Sequence, residues 1–467
     1  MSKEQQFKYE RAEISADRLG DFVFDVRQLI VELVFFEAID KPFMTGQIAI
    51  SDDQGTFDGL NFSGTERLHI TMLSDNAKEK NPTQKTGETP PTQQGKKTGE
   101  VMSRSFILTH IDTIVKSSNS GQSSIYVFGF IDEHAVVSKT RLISRSIKND
   151  LPLEIFKLCD NELGKTIDLS FLSTPAQSGF KGIIPYMHPL EAASWLTKKC
   201  TTISGMPYFL YASMHDERLR FASLDVLLQQ PAWNADIPFI FSPANTQAQE
   251  ENGDPTLQYF QVQSMKVTQI QNTMKQLSNG GIGSRYTVTD LSTGKSTSQH
   301  FNFYNSLVSA DKQGLIDITK QNVLDWQYQT PAVELVNIES TSMQDADAEI
   351  MHSVVSRGVY GENKSLHDEV SKEMYLKKIE SMAYRQALGK NAYDVTVPGP
   401  GFIKSGGTVG DKIRIHVLSD NNDPETPSPL DRIRSGDFLI MNTRHTFKDT
   451  RHDVAMTVVK LERGPSS

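Results

Sequence analysis

The sequence predicts an α+β fold that is mostly β, and three observations carry that prediction. The first is strict period-two alternation from Phe22 to Ser51, FVFDVRQLIVELVFFEAIDKPFMTGQIAIS, interrupted once by the turn chemistry of IDKP, where Pro42 fixes φ. The second is a change of period between His134 and Ser242, where helical stripes replace alternation. The third is the return of alternating runs between Ala392 and Leu461.

The opening segment reads as a long β-hairpin. In its first arm Val26, Gln28, Ile30, Glu32 and Val34 point one way, and Leu29, Val31, Leu33 and Phe35 the other. After the turn, Met44, Gly46, Ile48 and Ile50 alternate with Thr45, Gln47, Ala49 and Ser51. The first arm is apolar on nearly both faces, so both need cover. A neighbouring subunit is expected to supply part of it. Further strands follow at Arg67–Leu73, Ser105–Ile114 and Ser123–Phe130. Between Asn76 and Glu100 no large apolar residue occurs, which predicts a long flexible insertion between two strands.

The middle of the chain reads as a small α+β unit. Asp150-Leu-Pro-Leu-Glu starts a helix with Pro152 in its first turn and Leu151, Ile155 and Leu158 on one face. A second helix begins at His188-Pro189 and buries Leu190, Ala193, Leu196 and Cys200. Two short strands, Tyr208–Ala212 and Arg218–Ala222, form a hairpin across SMHDE, and Gln247–Pro255 is a polar linker. Leu257–Leu277 opens another β/α unit. NGGIG at Asn279–Gly283 is a turn before a strand at Tyr286–Leu291, because it lacks both the Lys-Ser/Thr of a P-loop and the G-x-G-x-x-G spacing. A polar, irregular stretch runs to about residue 365. A helix over Ser371–Leu388 stacks Tyr375, Ile379 and Met382, and strands close the chain at Ala392–Val397, Lys412–Leu418, Asp437–Phe447 and Val454–Leu461.

Bulk properties exclude several function classes. At 467 residues the chain is long enough for two to four domains. A hydrophobic content of 37% and a mean hydropathy of −0.39 predict a soluble chain. No apolar run approaches membrane-spanning length, and MSKEQQFKYERAEIS has no apolar signal region. The expectation is a chain neither secreted by a signal peptide nor inserted in a membrane. A net charge of −9 and singly scattered Lys and Arg argue against a nucleic-acid-binding surface. Cys159 and Cys200 are expected to be buried thiols in helices, without a disulfide.

A search for catalytic constellations returns little. His445 and His452 flank a hairpin tip, FKDTR, and read as exposed strand-end histidines lacking a third ligand. His110 and Asp112 share a strand face as a pair only. The carboxylate pairs Asp52-Asp53 and Glu250-Glu251 read as solvated loop residues. H-E-x-x-H, G-x-S-x-G and Cys/His nucleophile patterns do not occur. No catalytic, cofactor-binding or metal residue is assigned, and the chain is expected not to be an enzyme.

Four stretches, taken in order, resemble the baseplate central hub proteins of contractile-tailed, T-even-like bacteriophages, which are related to the hub half of type VI secretion spike proteins. They are the opening hairpin with TGQIAISDDQGTFDGLNFSGTERLHITM, the helix and strand pair of IIPYMHPLEAASWLTKKCTTISGMPYFLYASMHDERLRFASLD, the segment NTMKQLSNGGIGSRYTVTDLSTGK, and the tail VGDKIRIHVLSD…SGDFLIMNTRHTFKDTRHDVAMTVVKLERG with its two Gly-Asp strand starts. The match lies in order and pattern over most of the chain. It departs at Asn76–Glu100 and around residues 290–365, which are longer than the architecture requires.

The resemblance implies two tail-tube-like antiparallel β-barrel or sandwich domains, at 1–135 (with the insertion 76–100) and 249–467 (with a polar insertion and the helix 371–388). An α+β insert occupies 136–248. It implies a structural subunit of a homotrimeric, pseudo-six-fold ring that joins the hexameric tail tube to a trimeric central spike. The implied partners are that spike protein, with or without a lysozyme attached, the tail tube or its initiator, and inner baseplate or wedge proteins. DNA is only cargo in the lumen, where excess carboxylates are expected to repel it. The location implied is the virion tail baseplate, after assembly in the host cytoplasm. The chain ends soon after Glu462, so the piercing needle is expected to be a separate chain. A tail-associated cell-wall hydrolase and a neck or connector ring protein are the alternatives.

Overall fold

The structure, a computed structural model, describes residues 7–20, 23–53, 62–74, 100–116, 124–147, 150–172, 182–242, 259–268, 278–290, 296–303, 372–389, 392–404, 407–418 and 434–460. Single residues and short pieces between these are also described, the longest being 350–355. Of the expected insertion at 76–100, residues 76–99 lie outside the described residues and Glu100 opens a strand; the linker at 247–255 and most of the stretch 307–371 also lie outside.

The first part of the chain forms β1 (Phe7–Ser15), β2 (Val23–Asp25), β3 (Ile30–Ala38), β4 (Thr45–Asp52), β5 (Arg67–Ser74), β6 (Glu100–Lys116) and β7 (Ser124–Asp132). The middle part contains α1 (Glu133–Lys139), β8 (Ile143–Ile147), α2 (Leu151–Leu163), β9 (Ile167–Asp168), β10 (Gly182–Met187), α3 (Pro189–Thr197), β11 (Tyr208–Ser213), β12 (Asp216–Ser223), α4 (Leu224–Gln229) and β13 (Phe239–Phe241). Then come β14 (Ser264–Thr268), β15 (Gly283–Asp290), β16 (Ser296–Asn302), β17 (Pro331–Val333), β18 (Thr341–Ser342), β19 (Ile350–Val355) and α5 (Lys372–Ala387). The chain closes with β20 (Ala392–Pro398), α6 (Gly399–Lys404), β21 (Lys412–Val417), β22 (Gly436–Lys448) and β23 (Arg451–Val459). The fold is mostly β, as the alternation predicts.

One sheet of 13 strands dominates, in the order β14-β20-β23-β22-β3-β4-β7-β6-β5-β1-β2, with β21 beside β22 and β13 beyond β21. Its central joint is antiparallel pairing of β22 with β3, in register from Asn442 opposite Ala38 to Lys448 opposite Glu32. The predicted opening and closing hairpins are therefore direct neighbours. β22 bends at an irregularity between Ile440 and Asn442; its first half pairs with β21 and its second half with β3. The two Gly-Asp strand starts gain a physical reason. Gly410 (φ +88) and Gly436 (φ +136) take backbone conformations that L side chains rarely adopt. The following carboxylates then hold local structure: Asp411 accepts the Thr408 N–H at 2.9 Å, and Asp437 accepts Arg414 Nε–H at 2.7 Å.

One sheet face packs a core and the other is open, as an antiparallel sheet permits. Leu33, Phe35, Ile48, Phe106, Phe128, Phe130, Phe447 and Val454 face inward and are buried. Phe35 lies among Phe106, Phe130 and Phe447, with ring centroids 5.4–6.1 Å apart. Within the chain, the core covers the inner face of β3, and neighbouring strands cover its edges. β22 and β4 flank β3, Val34 is buried on the open side, and Phe36 is 37% exposed.

The middle segment packs onto the inner side of the same sheet. The β11–β12 hairpin turns at SMHDE, as the sequence predicts, but the turn does not project into solvent. Instead Ala212 N–H bonds the Lys41 carbonyl at 3.1 Å, and Met214 and His215 enter the joint between β3 and β22. Cys159 lies in α2 and Cys200 just past α3, both free and buried in the shared core. Burial pushes the Cys159 thiol up to about 12.

Leu33→Asp and Phe35→Asp each put an unpaired charge into this core, and both are expected to give insoluble or unassembled protein. Phe35→Ala should stay soluble but lose about 3–5 kcal/mol in urea unfolding. Soluble, assembled protein from both Asp variants would show that the joint does not depend on this face.

Candidate functional site

Period two puts Glu37 on the same face of β3 as Leu33 and Phe35, so its carboxylate is carried into the core. It arrives where β3, β22, β23, the β11–β12 turn and the loop before β21 converge. Its oxygens accept the Met214 N–H, the Thr408 hydroxyl at 3.1 Å, the Thr443 hydroxyl, and His445 Nε2–H at 3.2 Å. His445 Nδ1 lies 3.2 Å from His452 Nε2, and His452 stacks on Phe447 with centroids 4.0 Å apart. Gly399, at the start of α6, lies so close to the His452 ring that a Cβ there would collide with it. His215 bonds the Gly407 carbonyl at 3.1 Å, and Arg220 faces Asp411 at 3.7 Å. A single buried carboxylate thus ties the beginning, middle and end of the chain together.

Two sequence expectations are corrected at this point. His445 and His452 are not exposed strand-end residues: both are buried, at 0% and 1% exposure, because their hairpin is built into the sheet beside β3 and its inner face lies under α6. Asp52 is not a solvated loop residue either. It ends β4 buried and accepts the Phe57 N–H at 2.8 Å, while Asp53 stays exposed. Glu250-Glu251 lies outside the described residues. His110 and Asp112 do form a pair, at 2.7 Å, on the open face. Sequence reasoning does not single out Glu37; its signal is a lone carboxylate in register with Leu33 and Phe35.

The electrostatics follow from burial set against partners. For Glu37, burial works to raise the pKa, but the hydrogen bond and charge of His445, the Thr443 hydroxyl and nearby His215 outweigh it and hold the carboxyl at about 2. Burial drives the His452 imidazole well below 6.5, with repulsion from His445 and His215 adding to it. Asp411 is raised to about 6 by burial, against Arg220 and the Thr408 N–H. This is the chemistry of a latch. Among the described residues no cluster of His, Cys, Asp and Glu is placed to hold a metal ion.

Charges line the open face on the other side of the joint. Arg11, Arg67, Lys448 and Arg451 alternate there with Glu13, Asp25, Glu32, Asp112, Asp394 and Asp453. Most are paired: Arg11 with Glu13 at 2.7 Å, Lys448 with Glu32 at 3.6 Å, and Arg451 with Asp453 at 3.4 Å. Lys8, Lys41, Lys266 and Arg444 lie on this face too, so it carries charge of both signs rather than an excess of carboxylates. Among the described residues no helix is long and apolar enough to cross a membrane.

Comparisons with known proteins add likenesses of fold. No protein-family model matches the chain, and no curated protein does. It is similar to the structure of a tail protein from Neisseria meningitidis MC58, with 12% identity, a TM-score of 0.47 and 97% of both chains covered. It is similar to the 43 kDa tail protein of prophage MuSo2 from Shewanella oneidensis, with 10% identity, a TM-score of 0.45, and 97% of this chain and 98% of that one covered. A third likeness is to an E. coli component of the type VI secretion system that itself has structural similarity to T4 bacteriophage tail proteins. There the identity is 9%, the TM-score 0.42, and the cover 97% and 76%.

Glu37→Ala leaves the Met214 N–H, two hydroxyls and His445 without an acceptor and is expected to destabilise the protein by about 3–5 kcal/mol in urea unfolding. Stability should also fall on acidification. The unfolded chain protonates position 452 near pH 6.5 while the folded chain resists, so stability is lost below that pH. Glu37 adds a second loss between pH 4.5 and about 2. Asp411 works oppositely, its cost present above about pH 6 and relieved toward 3.8. His452→Phe keeps the stack on Phe447 and removes the proton acceptor. Its urea midpoint should therefore fall less than that of the parent between about pH 7 and 5.

Proposed function

We propose that this chain is a structural hub subunit of a contractile phage tail baseplate, forming a homotrimeric ring between the tail tube and the central spike. The observation that carries the reading is the single sheet in which β3–β7 and β20–β23 stand edge to edge through the β3–β22 pairing. One chain then offers two consecutive arcs of wall. Three such chains give six arcs, the number a six-fold tube needs, while the ring keeps three-fold symmetry for a spike. The ordered sequence resemblance supports the same reading and supplies its division into 1–135, 136–248 and 249–467.

In this reading the open face lines the channel. Outside the groove over the β3–β22 joint, its paired charges discourage DNA binding by cancellation: a phosphate gains little from a cation already held by a carboxylate. The middle segment, anchored on the inner face by Met214 and His215, braces the ring from outside. The partners are a second and third copy, the spike protein, the tube or its initiator, and inner baseplate proteins. The chain performs no catalysis and works as a virion component assembled in the host cytoplasm.

The mass of the purified protein in solution tests the proposal. A value near three subunits, with a ring in electron micrographs, is the expected result. Six or twelve subunits would favour a neck connector. Cell-wall clearing on a zymogram would favour a hydrolase and overturn the structural reading.

A further inference from the structure

A groove of about 560 Å³ lies on the open face directly over the β3–β22 joint, within the size range of small binding clefts. Its walls carry Lys41, Lys266 and Arg444, and its floor includes Phe36 and Ala455. All three cations are exposed, and among the described residues none is in an ion pair. Arg444 has only the ring of Phe36 beneath it, 5.9 Å from guanidinium carbon to centroid. The one other described cation of this face without an ion pair is Lys8, on β1 toward the far end of the sheet. Against the three stands one exposed carboxylate, Asp394, which already accepts the Thr457 hydroxyl at 2.9 Å. The Glu37 carboxylate is buried behind the groove and occupied by the latch.

Unpaired cations gathered in one cleft of a chain with net charge −9 are an exception that calls for an anion. We infer that this groove docks an acidic peptide segment of a partner protein, its carboxylates meeting Lys41, Lys266 and Arg444 and its aliphatic stems lying on Phe36 and Ala455. Nucleic acid fits less well. Duplex binding draws on many phosphate contacts, whereas the other cations near this joint, Lys448 and Arg451, are already paired and Asp394 repels phosphate from within the groove. The inference concerns the single chain and does not depend on the ring proposed above.

The test is fluorescence anisotropy with labelled octaglutamate, octaglutamine and oligothymidylate on the purified full chain at about 0.05 M salt, where screening is weak. Octaglutamate should bind and octaglutamine should not. Lys266→Glu combined with Arg444→Glu should weaken binding about tenfold or more, Asp394→Asn should tighten it, and Arg451→Ala, at a paired cation of the same face, should leave it within about twofold. All these positions are exposed or half-buried, and unchanged melting curves would show that the variants fold. The inference is overturned by absence of octaglutamate binding, by equal loss in Arg451→Ala, or by oligothymidylate binding as tightly with the same variant pattern. The last result would make the groove a general polyanion surface.

Discussion

The pairing of β22 with β3 is the constraint on which the rest of the molecule depends. Strands far apart in sequence exchange backbone hydrogen bonds, and each thereby hides an edge that would otherwise remain open to other chains. Backbone pairing alone has little power to choose a register. The side chains choose it: Phe35 and Phe447 meet in the core, and Glu37 finds Thr443 and His445 only if Thr443 lies opposite it. A slip of one residue would turn Glu37 toward solvent and Phe36 inward, leaving His445 without its acceptor. The buried carboxylate thus acts as a register pin, and Met214 and His215 extend its hold to the middle segment.

Much of the sheet was legible from alternation. β3, β4, β5, β7, β20, β22 and β23 fall where period two places them, and α2 begins at the turn marked by Asp150 and Pro152. What alternation cannot reveal is which strands from distant parts of the chain become neighbours. That gap explains the misplaced histidines. A hairpin tip normally faces water, so His445 and His452 looked exposed, yet here β3 lies alongside and α6 lies over the hairpin. β1 escaped notice because FKYERAEIS carries charged residues at the positions that face solvent and only Phe7, Ala12 and Ile14 buried among its apolar ones.

The open face shows how an acidic chain can present a surface that is not acidic. Cross-strand and next-but-one pairs such as Lys448–Glu32, Arg11–Glu13 and Arg451–Asp453 cancel charge locally. Each contributes little to stability by itself. Together they set the character of the surface, and they make the unpaired cations around Phe36 stand out.

The closing strand also sets a clock. β3 leaves a ribosome about 400 residues before β22, so the β3 edge must wait while the chain between them is made. At about 5–20 residues per second that wait lasts tens of seconds. Throughout it the nascent chain holds an apolar, unpaired strand edge in a crowded cell, where an identical edge on a neighbouring nascent chain is a ready wrong partner. The seam that unifies the finished molecule is therefore also its period of greatest exposure to misassembly, and its yield in a cell is governed by how well that edge is shielded before its own partner arrives.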